Sequence, residues 1–233
     1  MNKSYTELLD KDYENKENIF ILGAGPSLYQ NTLDLFFPRL KEYGIVICVN
    51  SSIMAENEPD FWISTDSLCL RWSWFSEYVR KSKCIKIVRS SWLDKHKEEI
   101  EGFYIFEPRK TKESEIDIED LGLCYSNSLS ASIDFSLKLG GAKRIFVLGL
   151  DHNLIKGKHH FWQNYLLKNW PIQNKPAQGG WSTQRSVFPI HLQSYKALKE
   201  FAEYKNAEIY NCNPNSHVKV FKKIKFEEIE NYL

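Results

Sequence analysis

Short runs that are apolar at nearly every position alternate along the chain with longer stretches whose apolar residues return every three or four places. The runs are IFIL, IVICVN, DFWIST, IKIVRS, FYIFEP, RIFVLGLD and AEIYNC. Such runs predict strands buried on both faces, and the periodic stretches between them predict amphipathic helices. Helices are expected over LYQNTLDLFFPRLKEYG, WSWFSEYVRKS, WLDKHKEEIEG, SLSASIDFSLKLGG and LQSYKALKEFAEYK. In the fourth, Leu129, Ile133 and Leu137 share a face, and Gly140 and Gly141 stop the helix. In the last, Leu192, Tyr195, Leu198 and Phe201 do the same. The alternation predicts an α/β fold with a mostly parallel sheet and helices on both faces.

Two segments break this rhythm. Residues 108–122 are charged and read as a mobile loop, and residues 152–190 are far longer than an ordinary connection. The second is expected to be an insertion that forms a lid or an acceptor site. With 233 residues, 42% of them hydrophobic, a single domain over 1–233 is predicted.

Charge removes some partners from consideration. Thirty-one basic and 30 acidic side chains leave a net charge of +1, so no global field draws the chain to nucleic acid. The five cysteines show no C-x-x-C spacing, which fits reduced thiols in the cytoplasm. The N-terminus is polar and acidic, unlike a signal peptide, and no apolar run reaches the ~20 residues of a membrane helix. The tail HVKVFKKIKFEE allows at most peripheral contact with the inner face of a membrane, and reads better as a solvated amphipathic edge. Tryptophans gather around residues 72–74 and 162–181, either as a binding surface or as core.

In a doubly wound sheet, ligands sit at the carboxyl ends of the strands. That edge collects the residues with chemistry. GAGPSL follows the first strand: Gly23 and Gly25 allow a tight turn and close approach, Pro26 suits a first helical position, and Ser27 can donate to an anion. The loop is no Walker A, and Leu28 stands where a dinucleotide fingerprint has its third glycine. Asn50, followed by Ser51, ends the second strand where NAD enzymes carry an acid, so hydride transfer is not expected. Ser126, Asn127 and Ser128 offer a second anion site at a helix start, or an ordinary cap. Asp66 and Asp151 each follow an apolar strand and could bridge phosphates through Mg2+, or serve as turn carboxylates. His191, placed at the start of the last helix, suits a general base toward an acceptor hydroxyl, or a structural role. His152, His159 and His160 share the long segment without a cysteine pair or an H-E-x-x-H helix, so zinc is not predicted.

The ordered set ILGAGPSL, VNSS, EPDFWISTDS, SNSLSASIDFSLKLGGAKRIFVLGLD and AEIYNCNPNS resembles the MptE-like family. That family comprises 6-hydroxymethylpterin pyrophosphokinases and bacterial relatives among flagellin- and surface-glycan-modification proteins. The resemblance runs from about residue 18 to 229 and implies a Rossmann-like fold and a nucleoside-phosphate donor facing Gly23, Gly25, Ser27, Asp66 and Asp151. Relatives often carry a glycine-rich turn where this chain has YSNSLS.

The chain is also similar to small bacterial sialyltransferases that use CMP-sialic acid, through Gly23 to Leu28, Asn50, His191 and the NPNS turn. It departs from them through PDFWISTD. That resemblance implies no metal and direct displacement, with His191 as base and hydroxyls near Tyr125 to Ser128 steadying the departing phosphate. The expected function is therefore a transferase of surface-glycan biosynthesis with a nucleotide or nucleotide-sugar donor and a sugar or pterin-like acceptor. A Mg2+-dependent pyrophosphokinase with catalytic Asp151 and a non-catalytic nucleotide-binding scaffold stand beside it.

Overall fold

The structure, a computed structural model, describes residues 2–13, 16–30, 37–55, 58–67, 70, 73–109, 117, 119–153, 160 and 181–233, and excludes the side chains of 29–30, 37–38, 73–74 and 181–186. Among the described residues nine strands form one sheet: β1 (Lys3–Ser4), β2 (Asn18–Leu22), β3 (Ile45–Val49), β4 (Phe61–Ser64), β5 (Ile85–Arg89), β6 (Tyr104–Phe106), β7 (Arg144–Leu148), β8 (Glu208–Asn211) and β9 (Lys222–Lys223). Their order is β1-β6-β5-β4-β3-β2-β7-β8-β9, and every pairing is parallel. The α/β, Rossmann-like fold expected from the alternation is present.

The continuous apolar runs follow from the period of two along a strand, which obliges a doubly covered sheet to be apolar on both sides. Ile19, Ile21, Ile47, Ile63, Ile145 and Val147 pack into one core with Ile133 and Phe135 of α5 (Ser128–Lys138) and Leu198 and Phe201 of α6 (Trp181–Tyr204). Phe20, Leu22, Val46, Trp62, Phe146 and Leu148 pack into the other. There they meet Leu28 of α1 (Ser27–Gln30), Leu40 of α2 (Phe37–Tyr43), Phe75 and Val79 of α3 (Ser73–Lys81), and the C-terminal turns carrying Phe226 and Ile229. A short α4 (Leu93–His96) is all that forms in WLDKHKEEIEG, where six of eleven residues are charged and Gly102 turns back with positive φ.

From β2 the chain steps outward through β3, β4, β5 and β6, then returns to lay β7 on β2's other side. The crossovers diverge between β2 and β7, which opens a crevice at their carboxyl ends. The rims of the sheet are β1 and β9, two polar residues each, and short polar edges resist pairing with another chain. β1 escapes a periodicity reading because two residues carry no pattern; β6 supplies its partners.

The expected loop 108–122 is tethered at both ends. Arg109 N–H donates to Leu123 O, Leu123 N–H donates to Glu107 O, and the buried Arg109 guanidinium pairs with buried Asp134 on α5. Residues 110–116 and 118 lie outside the described set. So do 154–159 and 161–180, with the proposed lid, His159 and the tryptophans at 162 and 170. The last ten residues of the predicted insertion are helical: α6 begins at Trp181 and carries Pro189 inside it. Cys48, Cys84, Cys124 and Cys212 are buried. No helix among the described residues is long and apolar enough to cross a membrane.

Candidate functional site

The loop after β2 and the loop after β7 interlock. Gly23 N–H donates to Leu148 O at 2.7 Å and Gly25 N–H to Gly149 O at 3.1 Å. A Cβ on Gly25 would lie 2.4 Å from both Gly149 O and Asp151 Oδ2, so the second glycine of GAGPSL is required by this backbone-to-backbone approach. Gly149 itself has φ of 71°, a conformation that favours glycine.

Asp151 sits at the centre of this junction and is 2% exposed. Its carboxylate accepts from Ser27 N–H at 2.8 Å, from the Ser27 hydroxyl, and from Asn213 Nδ2 at 2.6 Å. Its carbonyl accepts from His217 N–H at 2.9 Å and the Ser216 hydroxyl at 3.2 Å. Burial pushes the carboxyl above its usual range, and the Ser27 and Asn213 donors draw it back in part. The reading of Ser27 as an anion donor is therefore corrected: its N–H and hydroxyl are taken by Asp151, and α1, with four residues, offers no helix-end site. Asp151 is likewise a buried anchor, its carboxylate taken by Ser27 and Asn213.

The magnesium expectation fails the same test of fit. Asp151 is enclosed by three donors, and Asp66 is exposed and outside the residues that line the crevice. No group of three or more His, Cys, Asp or Glu side chains suited to a metal is found among the described residues.

The crevice is lined by Ala24, Gly25, Pro26, Asn50, Asn127 and Ser128, and on the far side by Asp151, His152, His160, His191 and Tyr195. It holds about 160 Å³, close to the ~150 Å³ of a cavity that takes one benzene ring, so a nucleotide would extend beyond it. Asn50 has φ of 49°, which turns the chain sharply off β3. Its Oδ1 accepts from the Ser64 hydroxyl at 2.7 Å and the Ser128 hydroxyl at 2.9 Å. That leaves the amide nitrogen as the group Asn50 offers to a ligand. Ser51 is buried in the following turn, next to Ser52, whose hydroxyl bonds β2 and β3 together.

Asn127 caps α5, its Oδ1 accepting from Ser130 N–H at 2.8 Å, while Ser126 Oγ lies 3.0 Å from Ser130 Oγ. The cap interpretation of YSNS thus holds for Asn127, and Ser126 contacts the Ser130 hydroxyl. Ser128 and Leu129, the first helical residues, line the crevice, and their N–H groups donate to no described residue. They open an eleven-residue helix, so the positive end of its dipole faces the crevice.

His191 lies in the interior of α6, not at a helix start as the sequence suggested, and it faces the crevice one turn before Tyr195. The imidazoles of His152 and His191 have centroids 5.2 Å apart. Tyr195, fully buried, donates to Asn127 Oδ1 at 3.4 Å, so its oxygen can accept from His152 Nε2 at 3.2 Å. Burial, then the imidazoles of His191 and His217, lowers the His152 pKa to about 4, and this ring stays neutral at pH 7. Tyr195 enters the sequence reading only through its helix face, and the NPNS turn only through a resemblance. Thr65 N–H donates to Ser128 Oγ at 3.0 Å, and only tertiary contacts identify these roles.

Fold and crevice define a class: a doubly wound α/β protein with a polar, histidine-bearing cleft at its topological switch point. Comparison with models of protein families finds none that matches the chain, and comparison with curated proteins finds no match either.

Proposed function

We propose that the chain is a transferase that moves a glycosyl group from a nucleoside-phosphate donor to an acceptor hydroxyl, with His191 as general base. The observation that supports it is the convergence of His191, the Asn50 amide and the first turn of α5 on one crevice. Ser128 and Leu129 N–H would hold the donor phosphate, and Asn50 Nδ2 a neighbouring sugar or ribose oxygen. The acceptor oxygen bonds to the anomeric carbon as the bond from that carbon to the phosphate oxygen breaks. The departing phosphate keeps the electron pair, and His191 receives the hydroxyl proton. The likeness to the MptE-like family and to CMP-sialic acid enzymes suggests surface-glycan biosynthesis at the cytoplasmic side. No observation favours the pyrophosphokinase reading, because the two aspartates it needs do not share the crevice.

The test is thermal stabilisation of the purified protein by CMP, CTP, ATP, UDP and GDP, with magnesium and with EDTA. A ligand that binds only the folded state raises the midpoint by mass action. Stabilisation by one nucleotide in EDTA supports the proposal, and His191→Gln should keep that shift while turnover of the matching nucleotide sugar falls by ~10²–10⁴. A magnesium-dependent shift with ATP alone would move the reading to pyrophosphoryl transfer. No shift with any nucleotide would leave a scaffold.

A further inference from the structure

The carboxyl edge of the sheet carries a cation that the crevice does not use. Arg89 is the last residue of β5, and its guanidinium carbon lies 4.7 Å from the centroid of the Tyr125 ring. Its Nε is sealed from solvent and meets no acceptor. Among the described residues it has no carboxylate partner, although Arg109 pairs with Asp134 and Arg144 with Glu17. Glu107, on the adjacent strand end, instead accepts from the hydroxyl of Ser90 at 2.8 Å. A half-buried guanidinium is seldom left this way, since losing part of its hydration needs a charge or an acceptor in return.

We propose that Arg89 receives an oxyanion, a carboxylate or phosphate, carried by the part of the substrate that extends past the crevice. This rests on the crevice being the substrate site. Tyr125, the platform under Arg89, stands three residues before Ser128, at most about 11 Å along the chain. Thr65 at the end of β4 bonds Ser128 and so fills the step between the two positions. Both groups therefore lie along the carboxyl edge of the sheet, on the side toward which a ligand larger than the crevice can extend. The position over the Tyr125 ring restrains the guanidinium before any ligand arrives, and burial of Nε leaves the two terminal nitrogens for a bidentate contact. A lysine could supply the charge but not the fork.

The experiment follows the arginine Nε–H signals of the nitrogen-15-labelled full chain by NMR, with the Arg89 signal assigned by its loss in Arg89→Lys. Sodium phosphate and sodium acetate are titrated separately against sodium chloride at equal ionic strength. A saturable shift of the Arg89 signal with phosphate identifies a phosphate ligand, and one with acetate a carboxylate. Arg89→Lys, judged by the Tyr125 ring signals, should bind the same anion on the order of tenfold more weakly. Shifts no larger than those from chloride, or equal affinity in Arg89→Lys, would overturn the proposal. Nucleotide stabilisation of Arg89→Gln is measured in parallel. If nucleotides fail to stabilise the wild type while Arg89 still titrates, the crevice reading fails and the anion site stands.

Discussion

Replacing Asp151 by alanine is the perturbation that most directly separates an anchor from a chemical group. The carboxylate takes donors from Ser27 N–H, the Ser27 hydroxyl and Asn213 Nδ2 in a position 2% exposed. Each buried donor stripped of its acceptor costs ~1–3 kcal/mol. Three of them set an upper range of about 3–9 kcal/mol. Two effects reduce it: the Ser27 hydroxyl can rotate to another partner, and removing a buried charge returns the desolvation that raises its pKa. About 3–4 kcal/mol remains, and at ~2–4 °C per kcal/mol for a domain of this size the midpoint should fall by roughly 6–16 °C. Urea unfolding gives the free energy directly, and Asp151→Asn, which keeps one acceptor, should cost about half as much. A double-mutant cycle with Asn213→Ala should return a coupling of about 1–2 kcal/mol. If Asp151→Ala unfolds within ~1 kcal/mol of wild type yet abolishes transfer, the anchor argument is refuted and the carboxylate is chemical.

Three further outcomes follow from the same contacts. Because the folded-state pKa of His152 is depressed to about 4 from 6.5, the unfolded chain takes its proton first, and stability drops as pH falls through that window, by up to ~3 kcal/mol. His152→Asn, which tolerates the φ of 49°, should flatten that part of the urea-midpoint-against-pH curve; an unchanged slope would contradict the assignment. Gly25→Ala brings a Cβ to 2.4 Å from two oxygens and should cost about 3 kcal/mol, whereas Gly102→Ala, with φ of 80° and open space, should cost about 1, both by calorimetry. Arg109→Met leaves buried Asp134 with Lys138 at 3.5 Å and the Cys124 N–H at 2.7 Å and should lose about 3 kcal/mol, part of it recovered in Arg109→Met/Asp134→Asn, which keeps an acceptor for Cys124. A single variant as stable as wild type would show that the pair does not hold the 107–124 segment.

The sheet was legible because each strand is covered twice and says so in every residue; no other arrangement asks Phe20 and Ile21 to be apolar together. What stayed hidden lacks a period. β1 is two polar residues whose strand character comes from β6, and the 24-residue α6 starts in a stretch with a proline inside it, which a sequence reading takes as a break. Residue type and neighbours single out His191 in the sequence but place it at a helix start, whereas it lies nearly three turns into α6.

The glycine loop shows why a motif read alone misassigns its own donors. GAGPS looks built for a phosphate, because a turn, a proline and a serine at a helix start are what an anion needs. The same features serve any carboxylate that arrives there, and the chain supplies its own from 124 residues away. Whether a helix end is open is a long-range fact, fixed by β7 lying beside β2 and by the NPNS turn folding over Asp151. The second helix end, at Ser128, carries the weaker sequence signal. Yet its cap is internal, its next two N–H groups meet no described residue, and it opens onto Asn50 and His191. In the proposed function the anion site therefore lies across the crevice, at α5 and not α1. With it the proposed chemistry shifts from a glycine loop to a helix start that faces His191.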